Sequence, residues 1–206
     1  LVSSMGFRGR IRGKWGLPAA LCIPSGNPVQ VSVTLLPNPH AGLLEALDGR
    51  RSTPSRLLSA PGPDDATLLR MLASATRVPD HGKRVPFRFL RIQGEARHAL
   101  GEVLARRSQE RDPEASDAVV AKDRQRFSFA PVILAVIAAQ GPDAKIPTQE
   151  RLLTAGCVCF ALLQAAQGLG FGAQWLTGWA AYDAVVRDVL GVREDEVVAG
   201  FIHIGT

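Results

Sequence analysis

Aromatic side chains are scarce in this 206-residue chain, at 6% with a single tyrosine, so any core has to be built from the aliphatic part of a 46% hydrophobic composition. Cysteine is nearly absent as well. Cys22, Cys157 and Cys159 cannot all pair with one another, and two of them lie two positions apart in an apolar run, which excludes a disulfide framework and fits a reducing, cytoplasmic compartment. Long apolar runs are missing. The longest, Ala130 to Ala139, falls far short of the roughly 20 residues a membrane-spanning helix needs. Acids are missing from residues 1–40, which carry Arg8, Arg10, Arg12 and Lys14; subtracting these four from 24 basic residues leaves 20 against 19 acids, so the rest of the chain is nearly neutral. The basic balance belongs to the leader, and nucleic-acid binding by the body loses its main support.

That leader loosely copies a secretory signal, but Pro18 breaks its short apolar part and no clean small-x-small cleavage site follows. Residues 1–40 read as a flexible basic extension outside the fold, and 41–206 as one domain. Leu43, Leu44 and Leu47 recur at helical spacing up to Gly49. Pro63-Asp64-Asp65 opens a second helix, since proline suits a first turn and acids its positive end, with Leu68, Leu72 and Ala75 inward. Phe87 to Ile92 reads as a strand. A helix follows from Glu95 with Leu100, Val103 and Leu104 inward, and the β-branched run Ala130 to Ala139 reads as a strand covered on both faces. Thr148 to Leu169 is apolar around its whole circumference, which predicts a helix meeting protein on both sides. Phe171 to Thr177, Tyr182 to Leu190 and Val197 to Ile204 complete the pattern as strand, helix and strand. The irregular mixture predicts an α+β layered domain without repeats.

Several catalytic devices are absent: no Gly-x-Ser-x-Gly elbow, no His-Glu-x-x-His, no Walker lysine loop, and no zinc spacing at Cys157-x-Cys159, whose thiols point apart on a helix. No metal site is expected. Gly168-x-Gly170-x-x-Ala173 copies a dinucleotide fingerprint, but a helix precedes it and a strand follows, the reverse of the required context. Its glycines read as a helix stop. Arg50-Arg51-Ser52 offers two guanidinium forks and a hydroxyl, a compact phosphate clamp; a cap on the negative end of the preceding helix explains the same residues equally well.

Taken in order, Arg50-Arg51-Ser52, Arg77-x-Pro79-Asp80-His81, the Pro-Phe-Arg-Phe strand, Ala155-Gly156-Cys157, Gly172-Ala-Gln-Trp-Leu-Thr-Gly178 and Gly200-Phe-Ile-His-Ile-Gly-Thr206 resemble the nitroreductase family, in its small single-domain branch. The resemblance spans Leu43 to Thr206. It implies a layered α+β fold with a mixed β-sheet flanked by helices, assembled as a two-fold homodimer with flavin sites at the interface. It implies an FMN-dependent oxidoreductase that passes hydride from NAD(P)H through flavin N5 to nitroaromatic, quinone or similar small-molecule acceptors in a ping-pong cycle. Chemistry of this kind belongs to the cofactor, so no side chain need act as a general acid.

By the same resemblance Arg50, Arg51 and Ser52 correspond to phosphate and ribityl contacts, Arg77 and His81 to flavin contacts supplied across the dimer, and Trp175, Leu176 and Thr177 to the segment along the isoalloxazine. Arg77 is the candidate for electrostatic tuning of the ring. Ala165, Ala166, Gln167, Gly168, Leu169 and Gly170 correspond to a nicotinamide-cofactor stretch. Two departures stand out: the sequence ends at Thr206, short of a C-terminal stretch that contributes to the dimer in that branch, and Leu176 is apolar where a relative carries a basic residue. The alternatives are other flavin chemistry on the same fold (enone reduction, dehalogenation, flavin degradation) and a non-catalytic protein whose clamp holds another phosphate ligand.

Overall fold

Strand β2 (Val132–Ala139) explains the architecture, because seven of its eight side chains are buried, alternating between two separate cores. The computed structural model describes residues 41–206; the expected flexible extension over 1–40 and the Cys22 thiol lie outside the described residues. Residues His40–Thr206 form one compact unit. Its elements are α1 (Ala41–Gly49), α2 (Asp65–Ala75), β1 (Phe87–Gln93), α3 (Glu95–Arg111), α4 (Asp117–Gln125), β2, α5 (Thr148–Gly168), β3 (Gly172–Leu176), α6 (Ala184–Val189) and β4 (Glu196–Gly205), with short 3-10 turns between some of them.

The strands form one sheet in the order β1-β2-β4-β3. All three pairings are antiparallel, where the family likeness implied a mixed sheet: Phe87 faces Ala138, Val132 faces Ile204, and Gly172 faces Gly205. The β2–β4 ladder shifts register between Val136 and Ile137. Val132, Leu134, Val136 and Ala138 face α2 and α5; Ile133, Ala135 and Ile137 face α3, α6 and Phe127. A continuous apolar run is therefore compatible with an antiparallel strand once helices cover both faces.

Local chemistry sets the element boundaries. Asp64 caps α2 by accepting from the Thr67 amide at 2.8 Å, and Asp183 caps α6 by accepting from the Val185 and Val186 amides. Met71 joins Leu68 and Ala75 on the buried stripe of α2, while Leu72 is only half-buried. Arginines tie the layers together. Arg151, buried near the start of α5, donates to the carbonyls of Ala139 and Gly141, and Arg97 on α3 donates to those of Ser128 and Ala130, so both helices are fixed to the ends of β2. Helix α4 was not foreseen. Its sequence, DAVVAKDRQ, is mostly polar and buries only Val120 and Asp123, so hydrophobic periodicity gives little signal.

Among the described residues no helix is long and apolar enough to cross a membrane. Cys159 is wholly buried, which pushes its thiol up to about 12, while Cys157 is exposed on the other side of α5.

Candidate functional site

Arg50, Arg51 and Ser52 leave the end of α1 and run beside two parts of the molecule: the C-terminal end of α5 and the edge strand β3. The Arg51 amide donates to Gln167 Oε1 at 3.3 Å, the Thr53 amide to the Ala173 carbonyl at 3.0 Å, and the Ser55 amide to Gln174 Oε1 at 2.6 Å. These bonds hold the segment against β3, which among the described residues pairs on its other side with β4. The residues meant to form the clamp and those meant to lie along a flavin are thus neighbours, although more than a hundred positions separate them in sequence.

Geometry within the segment speaks to clamp and cap alike. Arg50 Nη1 donates to Ser52 Oγ at 3.3 Å, converging the two side chains. Arg51 Nη1 donates to the carbonyls of Asp48 at 3.0 Å and Arg50 at 2.9 Å, the capping contact expected at a helix C-terminus. Its guanidinium keeps its other donors for a ligand. Among the described residues no acid pairs with either arginine.

Along β3 the side chains of Trp175 and Leu176 point to opposite faces of the sheet. The indole lies on the α5 side, near Gly156, with Nε1 donating to the Ala199 carbonyl at 3.2 Å. It rests directly on Gly200, where any Cβ would collide with it. Leu176 faces the α4 side, and Thr177 follows at the strand end.

The stretch Ala165 to Gly170 closes α5. The amides of Leu169, Gly170 and Phe171 return to the carbonyls of Ala165, Gln167 and Ala166, and Gly170 takes a φ of 83°, so the glycines do form a helix stop followed by a strand. Ala166 is buried in the core and presents no surface to a ligand, a correction to its inclusion among the nicotinamide contacts. Gln167, Gly168, Leu169 and Gly170 are exposed, and Ala165 is partly so. A cavity of about 610 Å3 adjoins them, bounded by Leu43 and Leu47 of α1 and by Phe160, Gln164, Gln167 and Gly168 of α5.

Arg77 and His81 lie elsewhere. Arg77 follows the end of α2, and His81 Nδ1 lies 2.6 Å from Glu150 Oε2 in the first turn of α5, where Thr154 Oγ1 also donates to the Pro79 carbonyl. Glu150 and Gln167 stand at opposite ends of α5, about 25 Å apart at about 1.5 Å per residue. One chain does not bring His81 to Arg50–Ser52; Arg77 stands between them, one turn past Ser74, which lines the cavity at the C-terminal end of α5, and two residues before Pro79, which meets Thr154. Sequence reasoning also missed Gln174, which fixes Ser55, and Glu150, which fixes His81; polar residues of this kind carry no signal until the fold supplies their partners.

An antiparallel sheet between two helical layers, with an Arg-Arg-Ser segment fixed to its edge strand, defines a class of layered α+β protein with an anion-competent rim. The family model described as "Nitroreductase family" matches residues 47–206, and the chain belongs to that family. It is 35% identical over 163 residues to the Escherichia coli K12 protein named "Putative NAD(P)H nitroreductase YdjA", covering 79% of this chain and 87% of the relative. A Haemophilus influenzae protein named "Putative NAD(P)H nitroreductase" is 33% identical over 164 residues, with the same coverage. Among solved structures, a nitroreductase-like family protein from Bacillus cereus superposes with a TM-score of 0.66 at 20% identity, covering 82% of this chain and 87% of that one. The FMN and NADPH-dependent nitroreductase NfnB from sphigopyxis sp. strain HMH superposes with a TM-score of 0.64 at 20% identity, covering 79% of this chain and 86% of that one.

Proposed function

We propose that this protein is an FMN-dependent oxidoreductase using NAD(P)H, working in the cytoplasm as a homodimer. The observation that carries the reading is the attachment of Arg50-Arg51-Ser52 to β3 and the end of α5. It gathers two guanidinium groups and a hydroxyl, without a competing acid, beside a strand edge long enough to back a planar ring. That donor set fits a phosphate monoester. Family membership and the FMN-dependent relative of the same fold support the choice of flavin.

FMN, held by Arg50, Arg51 and Ser52, would supply the redox chemistry between NAD(P)H and a nitroaromatic or quinone acceptor. The chain's own residues bind and orient. Arg50, Arg51 and Ser52 neutralise and hydrogen-bond the phosphate. Thr53, clipped to Ala173, sets the distance between that anchor and β3. Trp175, pinned by Ala199 and Gly200, stiffens the strand on which Leu176 and Thr177 meet the ring. Gln167 to Gly170 offer the exposed surface for the nicotinamide donor.

The second set of contacts comes from the partner copy. Helix α5 leaves Leu152, Leu153 and Phe160 exposed, α1 leaves Leu43 and Leu44, and two-fold apposition of antiparallel α5 helices would cover them. The same operation brings the stretch after α2 of one copy, with His81 at the N-terminal end of its α5 and Arg77 beside the helix's middle, toward the C-terminal end of the other copy's α5, with its Arg50 to Ser52. A guanidinium there stabilises negative charge arising on the ring. Residues 41–206 are then the flavin-binding unit, completed by a second copy.

The test is the identity of the bound group. The purified protein is expected to be yellow or to become so with FMN, and acid denaturation should release FMN; release of FAD alone, or failure to take up FMN, would refute the reading in favour of other phosphate ligands.

A further inference from the structure

A second cavity, of about 540 Å3, lies on the other face of β3, between α4 and the Pro54–Arg56 turn. Its charged lining is cationic only: Arg56, Lys122 and Arg126. Arg126 is fixed in place. Its Nη2 lies 2.7 Å from Asp123 Oδ1, which also accepts from Trp179 Nε1 at 3.3 Å, and its guanidinium carbon lies 6.0 Å from the Trp179 ring. Its Nε is buried without a hydrogen-bond partner. Arg56 and Lys122, by contrast, have no ion-pair partner among the described residues. The rest of the wall mixes the polar side chains of Ser55, Gln125 and Gln174 with an apolar portion made by Pro54, Ala118, Ala121, Leu176 and the exposed ring of Phe129.

Two exposed cations without ion-pair partners, next to the apolar surface of Phe129 and Leu176 and the amides of Gln125 and Gln174, match an amphipathic anion: charge at one end, flat apolar frame at the other. We infer that this cavity binds a small organic anion, a carboxylate on a flat apolar frame, with the charge held by Arg56 and Lys122 and the frame against Phe129 and Leu176. It is separate from the phosphate-clamp residues, which share none of its lining. Leu176 belongs to both neighbourhoods, so a ligand seated here borders the strand assigned to the flavin. The inference needs no redox step and stands whether or not that assignment holds.

The test is direct binding of 2-naphthoate, which is redox-inert, against its neutral counterpart 2-naphthamide, followed by titration calorimetry on the full chain. The carboxylate is expected to bind saturably and more tightly than the amide. Arg56→Gln and Lys122→Gln should each weaken it about fivefold, the scale of one partly exposed ion pair, and leave the amide unchanged. Lys145→Gln, outside the cavity, should change nothing. Saturating FMN should not displace the naphthoate. Equal binding of carboxylate and amide, equal loss in the Lys145 variant, no effect of either cavity substitution, or competition by FMN would each overturn the inference, the last by showing the cavity to be part of the cofactor's own seat.

Discussion

His203 and Arg51 show how far a residue's environment decides its role. His203 sits on β4 with 1% of its surface exposed, stacked on Phe127 at 5.5 Å between ring centroids, and neither ring nitrogen has a hydrogen-bond partner. Burial, aided by the nearby Arg126 charge, lowers its pKa to about 4 from 6.5. The folded state therefore holds the ring neutral. Its contribution to stability is complete above the unfolded pKa and is lost as pH falls from about 6.5 to about 4, amounting to at most roughly 3 kcal/mol. Glu196 acts lower on the scale: hydrogen bonding from Arg88 is the main cause holding its carboxyl at about 2, so its contribution fades as pH falls from about 4.5 toward 2. His203→Phe should flatten the loss of stability between pH 6.5 and 4 and leave the loss below 4.5 due to Glu196, as read from urea unfolding across pH. An unchanged slope above pH 4.5 would show that other groups control it. Arg51 poses the question of clamp against cap. Arg51→Ala should weaken FMN roughly tenfold, from one charge-assisted bond, and leave riboflavin nearly unaffected; equal losses for the two ligands would assign Arg51 to its cap on Asp48 alone.

Helices α3 and α4 meet through a glycine. A Cβ at Gly101 would press into the Arg124 carbonyl, a backbone atom that cannot swing aside, so the two helices approach as closely as they do only because position 101 has no side chain. Gly101→Ala offers better intrinsic helix propensity by about 1 kcal/mol, yet the overpacking it causes should cost on the order of 1–3 kcal/mol and leave the protein less stable. A chemical denaturation midpoint above that of the wild type would contradict the close contact. Displacement of α4 also moves Lys122 and Arg126, so the same substitution should disturb naphthoate binding more than FMN binding.

Across the whole molecule the apolar surface that α1 and α5 leave open is the feature a single chain does not resolve. Leu153 is 62% exposed and Leu44 65%, beside an exposed Phe160. Leu153→Glu places a charge on that face without touching either core. It should convert a dimer to a monomer in equilibrium sedimentation and lower flavin content in step, while the thermal unfolding of the remaining chain stays cooperative. A variant that stays dimeric and fully loaded would remove α5 from the interface; one that becomes monomeric yet keeps its flavin would remove the partner's Arg77 and His81 from the site.

Local pattern determined most of the elements, because cap residues and apolar spacing act within a few positions: Asp64 before α2, the period of α3, the continuous run of β2 and the all-round apolar α5 were all legible. The ordered motifs determined the family, since Arg50-Arg51-Ser52 and Gly172 to Gly178 keep their order along the chain. Pattern was silent on α4, whose polar face is nearly its whole circumference, and it could not tell an antiparallel sheet from a mixed one when both faces of a strand are covered. Only the tertiary structure put Arg51 beside Gln167 and Thr53 beside Ala173, contacts across more than a hundred residues that no local signal encodes. It also separated His81 from Arg50 by the length of α5 and left Arg56 and Lys122 facing one cavity, because which charges meet depends on how helices pack on the sheet and not on their spacing in sequence.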